Sequence, residues 1–271
     1  MSRIENCFKQ LKRQDKKAFI PYLTAGDPNL ECTLNLMHAL VKAGADIIEL
    51  GYPFSDPSSD GPVIQRAVER SLAKHTTLKD VLILVKRFRQ ENESTPVVLM
   101  GYLNPIECMG YQKFTDTAID SGVDGVLVVD MPPEEAHEFL QIIHRSVLDC
   151  IFLVAPTTRE ERARQICELS SGYVYYVSLK GVTGAAHLDI DSVRTNVNLL
   201  KSYCDLPIGI GFGIKDVDTA VKLGELADAI IVGSALVNLI AELKDDYDYS
   251  RDELFKHIKL IADMRIGLDN K

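Results

Sequence analysis

Residues 46–51 read Asp46-Ile47-Ile48-Glu49-Leu50-Gly51, a short apolar run in which one carboxylate interrupts aliphatic side chains. Such near-continuous hydrophobicity is typical of a strand that is buried on both faces, as in a parallel sheet. Seven further runs of this kind occur along the chain, at Phe19–Leu23, Val97–Met100, Val123–Val129, Cys150–Val154, Tyr173–Val177, Pro207–Ile210 and Ala229–Val232. The sequence therefore predicts eight buried parallel strands.

Amphipathic segments with the spacing of helices separate these runs. Residues 30–41, for example, place Leu34, Met37 and Val41 on one face. Strand and helix alternate to the end without a linker, so residues 1–271 are expected to form a single (β/α)8 TIM barrel domain, which typically needs about 250 residues. An open sheet of eight strands is the alternative.

Two helices are predicted in addition to the repeat. Residues 2–13 have three large apolar residues on one stripe and form an extra N-terminal helix that would plug the bottom of the barrel. Residues 251–266 have inward-facing apolar residues and form a closing C-terminal helix that would end at Gly267. The residues in question are Ile4, Phe8 and Leu11 in the first helix, and Leu254, Phe255, Ile258 and Ile261 in the second.

The composition excludes several classes of protein. A formal net charge of -9 argues against nucleic-acid binding, which needs clustered Lys and Arg. The six cysteines and six histidines form no ligand-like cluster, which indicates reduced thiols and no metal site. The N-terminus has no signal-like apolar core, and the longest apolar stretch, Ala229 to Ala241, is too short to cross a bilayer. We therefore expect a cytoplasmic protein without a membrane segment.

Two carboxylates are the candidate catalytic groups. Glu49 lies at the C-terminal end of the second predicted strand, where barrel enzymes place their chemistry, and an apolar setting raises a carboxyl pKa towards neutrality. Asp60 follows eleven residues later, in a proline-rich loop that could return it over the barrel mouth. Two carboxylates in different surroundings can divide acid and base roles. The alternatives are a structural Glu49 paired with Lys or Arg, and an Asp60 that serves a turn or a helix N-cap.

Glycines after the last three predicted strands indicate a phosphate site. They lie in Gly181-Val182-Thr183-Gly184-Ala185, in Gly211-Phe212-Gly213 before a short helix from Lys215, and in Gly233-Ser234, where Ser234 is expected to cap the next helix. Neighbouring backbone N–H groups and helix N-termini can hold a phosphate without Lys or Arg. Three unrelated turns are the alternative.

Apolar and aromatic residues near the predicted strand ends could line a pocket between the carboxylates and the glycines. Ordinary core packing is the alternative for each of them. The candidates are Tyr22, Ile64, Met100, Leu127, Tyr175, Phe212 and Val232.

Several of these segments, taken in order, closely resemble the tryptophan synthase alpha subunit family over essentially the whole chain. They are Pro21-Tyr22-Leu23-Thr24-Ala25-Gly26-Asp27-Pro28, Glu49-Leu50-Gly51, Pro53-Phe54-Ser55-Asp56-Pro57, Asp60-Gly61-Pro62-Val63-Ile64-Gln65, Gly181-Val182-Thr183-Gly184, Gly211-Phe212-Gly213 and Gly233-Ser234. The stretch 53–65 is the most specific of them.

The resemblance implies a barrel lyase that cleaves indole-3-glycerol phosphate to indole and glyceraldehyde 3-phosphate in L-tryptophan biosynthesis. By similarity, Glu49 would shuttle protons and Asp60 would hydrogen-bond the indole N–H. The remaining implied roles are Tyr175 near Glu49 and the substrate, Thr183 closing the site over Asp60, and Gly184, Gly213, Gly233 and Ser234 holding the phosphate.

The resemblance also implies a partner, the tryptophan synthase beta subunit, in an αββα heterotetramer. Pyridoxal phosphate would belong to that partner, so no cofactor is expected in this chain. The sequence departs from the family pattern at Ser58-Ser59, at Lys180 and at Ala186-His187, which concerns loop packing and closure rather than the carboxylates. The competing hypotheses are another phosphate-binding barrel, such as an aldose-ketose isomerase, and a non-catalytic partner of a beta subunit.

Overall fold

The strands of the computed structural model, which describes residues 2–178, 189–211 and 213–270, form one parallel sheet. The sheet order is β5-β4-β3-β2-β1-β9-β8-β7-β6, and every neighbouring pair is parallel. The strands are β1 (Ala18–Thr24), β2 (Ile48–Gly51), β3 (Val97–Gly101), β4 (Gly125–Val128), β5 (Asp149–Ile151), β6 (Leu153–Val154), β7 (Val174–Val177), β8 (Ile208–Gly211) and β9 (Ala229–Val232). All eight predicted runs are therefore confirmed as strands.

The sheet closes into a barrel at Phe152. This residue alone separates β5 from β6, and the two segments pair with opposite neighbours, β5 with β4 and β6 with β7. They are the two halves of the fifth barrel strand, which the predicted run Cys150–Val154 spans. The prediction of a (β/α)8 barrel is confirmed, and the open sheet is excluded because the strand order has no free edge beyond this break.

Helices follow the strands on the outside of the barrel. Those before β5 are α1 (Arg3–Arg13), α2 (Leu30–Lys42), α3 (Pro62–Ala73), α4 (Leu78–Arg89), α5 (Leu103–Met109), α6 (Tyr111–Ser121) and α7 (His137–Ile143). Those after β6 are α8 (Glu160–Leu169), α9 (Ile190–Lys201), α10 (Val217–Gly224), α11 (Ser234–Ile240), α12 (Arg251–His257) and α13 (Lys259–Asp269). None of the helices in the described ranges is long and apolar enough to span a membrane.

The bottom of the barrel is closed by α1, as predicted. Ser2 caps this helix by accepting from the backbone N–H of Glu5, and the stripe of Ile4, Phe8 and Leu11 is buried. The stripe packs against side chains that point into the barrel from the strands, among them Ala18, Ile20, Ile47, Val98, Leu127, Ile151, Tyr173, Tyr175, Ala229 and Ile231. The barrel interior is therefore a packed apolar core below the strand ends.

The closing segment differs from its prediction as one helix ending at Gly267. A break at Ile258 divides it into α12 and α13, and α13 continues through Gly267 to Asp269. A Cβ at Gly267 would lie 2.6 Å from Cγ1 of Val217 on α10. The glycine therefore serves the close packing of α10 on α13 rather than a helix C-cap.

Candidate active site

Glu49 lies at the C-terminal end of β2, in register with Tyr22 of β1 and Val98 of β3. Its side chain is completely buried, and its Oε1 accepts a hydrogen bond of 2.5 Å from the phenol of Tyr173. Tyr173 precedes β7 on the opposite wall, so Glu49 points across the barrel interior. Within the described ranges, Oε2 has no hydrogen-bond partner and no Lys or Arg pairs with the carboxylate. The alternative of a salt-bridged structural Glu49 is therefore not supported.

Burial sets the acidity of Glu49. Loss of water around the carboxylate raises its pKa from 4.5 to about 7, and the hydrogen bond from Tyr173 opposes this shift. A carboxyl group with such a pKa exchanges its proton near neutral pH, which suits proton transfer to and from a substrate.

Asp60 lies in the loop between β2 and α3. Its Oδ2 accepts from the phenol of Tyr102 at 3.1 Å, and the backbone N–H of Ser59 donates to the same phenol at 3.0 Å. Gln65 holds the loop by donating from Nε2 to the carbonyl oxygen of Asp60 at 2.8 Å. The helix N-cap of α3 is Gly61, and Asp60 supplies no side-chain cap, so the N-cap alternative is wrong. Partial burial raises the pKa of Asp60 to about 6, and the bond from Tyr102 opposes this.

Two tyrosines, Tyr22 and Tyr175, lie near both carboxylates. Negative charge on both Glu49 and Asp60 contributes to raising the pKa values of Tyr22 and Tyr175, although burial is the larger cause for each phenol. Each of the two phenols therefore lies within electrostatic reach of both carboxylates.

The Tyr175 ring fits against β8 because β8 has glycines at the positions that face it. Tyr175 pairs in register with Gly209, and a Cβ on Gly211 would overlap the Tyr175 phenol. Any side chain at Gly211 would displace the ring, because its neighbours are buried and close-packed. The Gly211-Phe212-Gly213 segment thus contains a glycine needed for packing next to the candidate phosphate loop.

The predicted pocket residues fall into two adjoining groups. Tyr22, Ile64 and Met100 pack together, and Met100 also contacts the interior core that contains Leu127 and Tyr175. Leu127 is fully buried in that core. Val232, in contrast, belongs to the apolar layer outside the strands, because alternate residues of a strand face opposite sides. Phe212 lies outside the described residues.

The candidate phosphate residues are placed in part. Gly233 is the N-cap of α11 and Ser234 is its first residue, with no side-chain cap, so the prediction that Ser234 caps this helix is wrong. The helix after Gly213 begins at Val217 rather than Lys215, and Asp216 caps it through the backbone N–H of Thr219. That carboxylate occupies the N-terminus of α10, which leaves the start of α11 as the more suitable anion position. Thr183 and Gly184 lie outside the described residues.

Two site residues were missed from the sequence. Tyr173 has the same strand parity as Tyr175, so the period of two could have placed it beside Glu49. Tyr102 follows β3 directly, and the rule that chemistry lies after barrel strands could have selected it. No group of three or more His, Cys, Asp and Glu residues that could hold a metal occurs in the described part of the chain.

Comparisons with known proteins agree with this geometry. The sequence model of the tryptophan synthase alpha chain family matches residues 8–264. The tryptophan synthase alpha chains of Thioalkalivibrio sulfidiphilus and Methylococcus capsulatus are each 54% identical to this chain over 269 residues, covering 99% of this chain and 100% of each relative.

Solved structures extend the agreement to three dimensions. The crystal structure of tryptophan synthase subunit alpha from Legionella pneumophila is 43% identical and superposes with a TM-score of 0.90, with 100% of both chains covered. A chain of tryptophan synthase from M. tuberculosis, in its aminoacrylate-bound form, is 32% identical with a TM-score of 0.86, covering 99% of this chain and 100% of that chain. The full-length match does not favour an isomerase or a non-catalytic barrel. This chain therefore belongs to the tryptophan synthase alpha chain family and is a lyase of the alpha reaction of tryptophan biosynthesis.

Proposed function

We propose that Glu49 and Asp60 carry out the retro-aldol cleavage of indole-3-glycerol phosphate to indole and glyceraldehyde 3-phosphate in this chain. The observation that carries the proposal is the buried carboxyl group of Glu49, with a pKa raised to about 7 and one oxygen unpartnered among the described residues. We assign that oxygen to proton exchange with a substrate bound above the strand ends.

Glu49 acts first as an acid and then as a base. Its proton is transferred to C3 of the indole, which makes the ring an iminium electrophile. The resulting carboxylate then takes the proton of the glycerol hydroxyl next to the bond that breaks. The electrons of the broken C–C bond return to the ring, so the aldehyde and indole leave and Glu49 regains its proton.

Asp60 stabilises the positive charge that develops on the indole nitrogen. This role needs an ionised Asp60 while Glu49 begins protonated, and the order of the two pKa values, about 6 and about 7, permits it. Between these values both groups are in the required state. The rate should rise with pH as Asp60 ionises and fall as Glu49 loses its proton.

The substrate lies between these carboxylates and the glycine loops. Tyr22, Ile64 and Met100 form one side of the indole pocket, and their contact with one another supports this assignment. Leu127, Tyr175 and Phe212 complete the pocket. Gly213, Gly233 and Ser234 hold the phosphate, together with Gly184, and Thr183 closes the site over Asp60. The exposed position of Ser234 as the first residue of α11 supports the phosphate position.

The partner of this chain is a tryptophan synthase beta subunit, and the assembly is an αββα heterotetramer. The support is the family and the solved tryptophan synthase structures that match the chain. Pyridoxal phosphate belongs to the beta subunit, and this chain itself needs no cofactor. We also propose that residues 1–271 form a single domain and that the protein is cytoplasmic. The six free thiols support the cytoplasmic location.

Replacement of either carboxylate tests the catalytic assignment. Glu49→Gln and Asp60→Asn should each lower indole release at least about a hundredfold, while circular dichroism shows an unchanged fold. Glu93→Gln, at an exposed position, is the control and should keep full activity. Full activity in either of the first two variants would remove that residue from the mechanism.

Addition of the partner tests the assembly. Indole release by the isolated chain should be slow and should increase when the beta subunit is added, because the Asp60 loop orders against the partner. Equal turnover with and without the beta subunit would contradict this part of the proposal. The phosphate site is tested by soaking crystals with substrate, where density at Gly213 and Ser234 is expected.

A further inference from the structure

Two cysteines meet at the end of the barrel opposite Glu49 and Asp60. Cys167 lies in the last turn of α8, and Cys204 lies between α9 and β8. The thiols of Cys167 and Cys204 are close enough for each to shift the pKa of the other. A second contact aligns the same two segments, because the guanidinium of Arg164 lies 4.3 Å over the ring of Tyr203. The two segments that carry the cysteines thus pack against each other.

From this geometry we propose that Cys167 and Cys204 form a reversible intramolecular disulfide when the chain meets a hydroperoxide. Both cysteines belong to the apolar core layer between the barrel and the helices.

One member of the pair lines a cavity that is open to solvent. Cys204 lines a cavity of about 1120 Å³ at the bottom of the barrel, together with Phe8, Lys201 and Pro207. Cys167 does not line this cavity, and the two cysteines are almost equally buried, at 9% exposed for Cys167 and 7% for Cys204. The arrangement assigns Cys204 as the thiol that is attacked first and Cys167 as the thiol that resolves the product.

The acidity of the pair fits these roles. The neighbouring Cys167 thiol lowers the pKa of Cys204, which favours the thiolate at Cys204. Burial instead raises the pKa of Cys32 and of Cys150 to about 12 in each case, which keeps them as thiols. Cys108 is exposed.

The chemistry balances with one hydroperoxide per disulfide. The Cys204 sulfur attacks the peroxide, an S–O bond forms as the O–O bond breaks, and one water (or alcohol) leaves with the thiol proton. The sulfur of Cys167 then attacks the sulfenic acid, the S–S bond forms, the S–O bond breaks and a second water leaves. Two thiols are oxidised, and the peroxide is reduced.

Peptide mapping of the folded chain tests the proposal. The chain is treated with hydrogen peroxide, remaining thiols are blocked, and the protein is digested with trypsin without reduction. Cleavage after Arg164, Lys180, Lys201 and Lys215 gives peptides 165–180 and 202–215, which the disulfide joins. We expect this linked pair as the main product, lost on treatment with dithiothreitol. Absence of the pair from the folded protein, or its appearance only in urea, would overturn the proposal.

Variants separate the pair from other thiols. Cys108→Ser removes the exposed thiol and should leave the yield of linked peptide unchanged. Cys167→Ala should let Cys204 proceed to sulfinic acid under the same peroxide dose, because no resolving thiol remains. Equal sulfinic acid formation at Cys204 with and without Cys167 would show that the two do not act together. The unmodified chain needs no variant for the mapping itself, so a folding defect cannot obscure the result.

Discussion

Replacement of Glu49 by glutamine should remove a loss of stability that the natural chain undergoes as pH rises, although the same change should abolish its activity. Burial raises the pKa of Glu49 in the folded chain from 4.5 to about 7. Between these values the unfolded chain loses the Glu49 proton before the folded chain does. The free energy of unfolding therefore falls as pH rises through this window and becomes constant above it.

The size of the effect follows from the shift. A shift from 4.5 to about 7 corresponds to about 3 kcal/mol for this completely buried group, and most of this falls between about pH 5 and pH 8. A glutamine side chain cannot ionise, so the variant does not carry the cost of the buried charge. Relative to the natural chain, Glu49→Gln should gain about 2 to 3 kcal/mol of unfolding free energy on going from about pH 5 to pH 8.

Urea unfolding followed by far-UV circular dichroism at both pH values measures this gain. Any loss from the unpaired amide that the substitution introduces is independent of pH, so it cancels in the comparison between pH values. Glu93→Gln, at an exposed position, should show no such gain. If the free energy of unfolding changed by the same amount in the natural chain and in the Glu49→Gln variant between the two pH values, the raised pKa of Glu49 would be refuted.

Three further predictions concern the packing around the carboxylates. Tyr173→Phe removes the hydrogen bond that lowers the pKa of Glu49, so the falling limb of the plot of kcat/KM against pH should move to higher pH. A limb that stayed in place would show that ionisation of Glu49 does not cause it. Gly211→Ala forces the Tyr175 ring to move and should cost about 1–3 kcal/mol in urea unfolding together with activity, whereas a neutral substitution would contradict the close packing at β8. Phe8→Ala leaves a cavity under Tyr173, which its ring contacts with centroids 5.9 Å apart; thermal and urea unfolding should show a loss of about 3–5 kcal/mol, and a loss below about 1 kcal/mol would mean that the floor is not closely packed.

The barrel was predictable from the sequence because its strands are short, apolar and regularly spaced. The run Ala229–Val232 coincides with β9, and Cys150–Val154 spans the strand that Phe152 divides. The break at Phe152 arises because β5 pairs with β4 whereas β6 pairs with β7. A hydrophobic pattern does not encode which strands pair. The division of the closing segment at Ile258 was missed for a similar reason, since apolar periodicity continues through it.

The candidate site was predictable where a residue stands out against its surroundings. A carboxylate in an aliphatic strand identified Glu49, and its neighbourhood agrees with the expected pKa. Tyr173 and Tyr102 were not predicted, because a tyrosine in an apolar run looks like core until its partner across the barrel is known. Ser234 was misassigned because the residue type favours an N-cap, whereas the chain turns one residue earlier, at Gly233.

The seal formed by α1 has a consequence for synthesis of the chain. Its apolar stripe is translated first, yet the stripe belongs to the same buried cluster as Ala229 and Ile231 of β9. The floor of the barrel cannot be completed until the last strand has left the ribosome, because these contacts are among the most distant in sequence. The apolar surroundings that raise the pKa of Glu49 are therefore completed only after β9 has been translated.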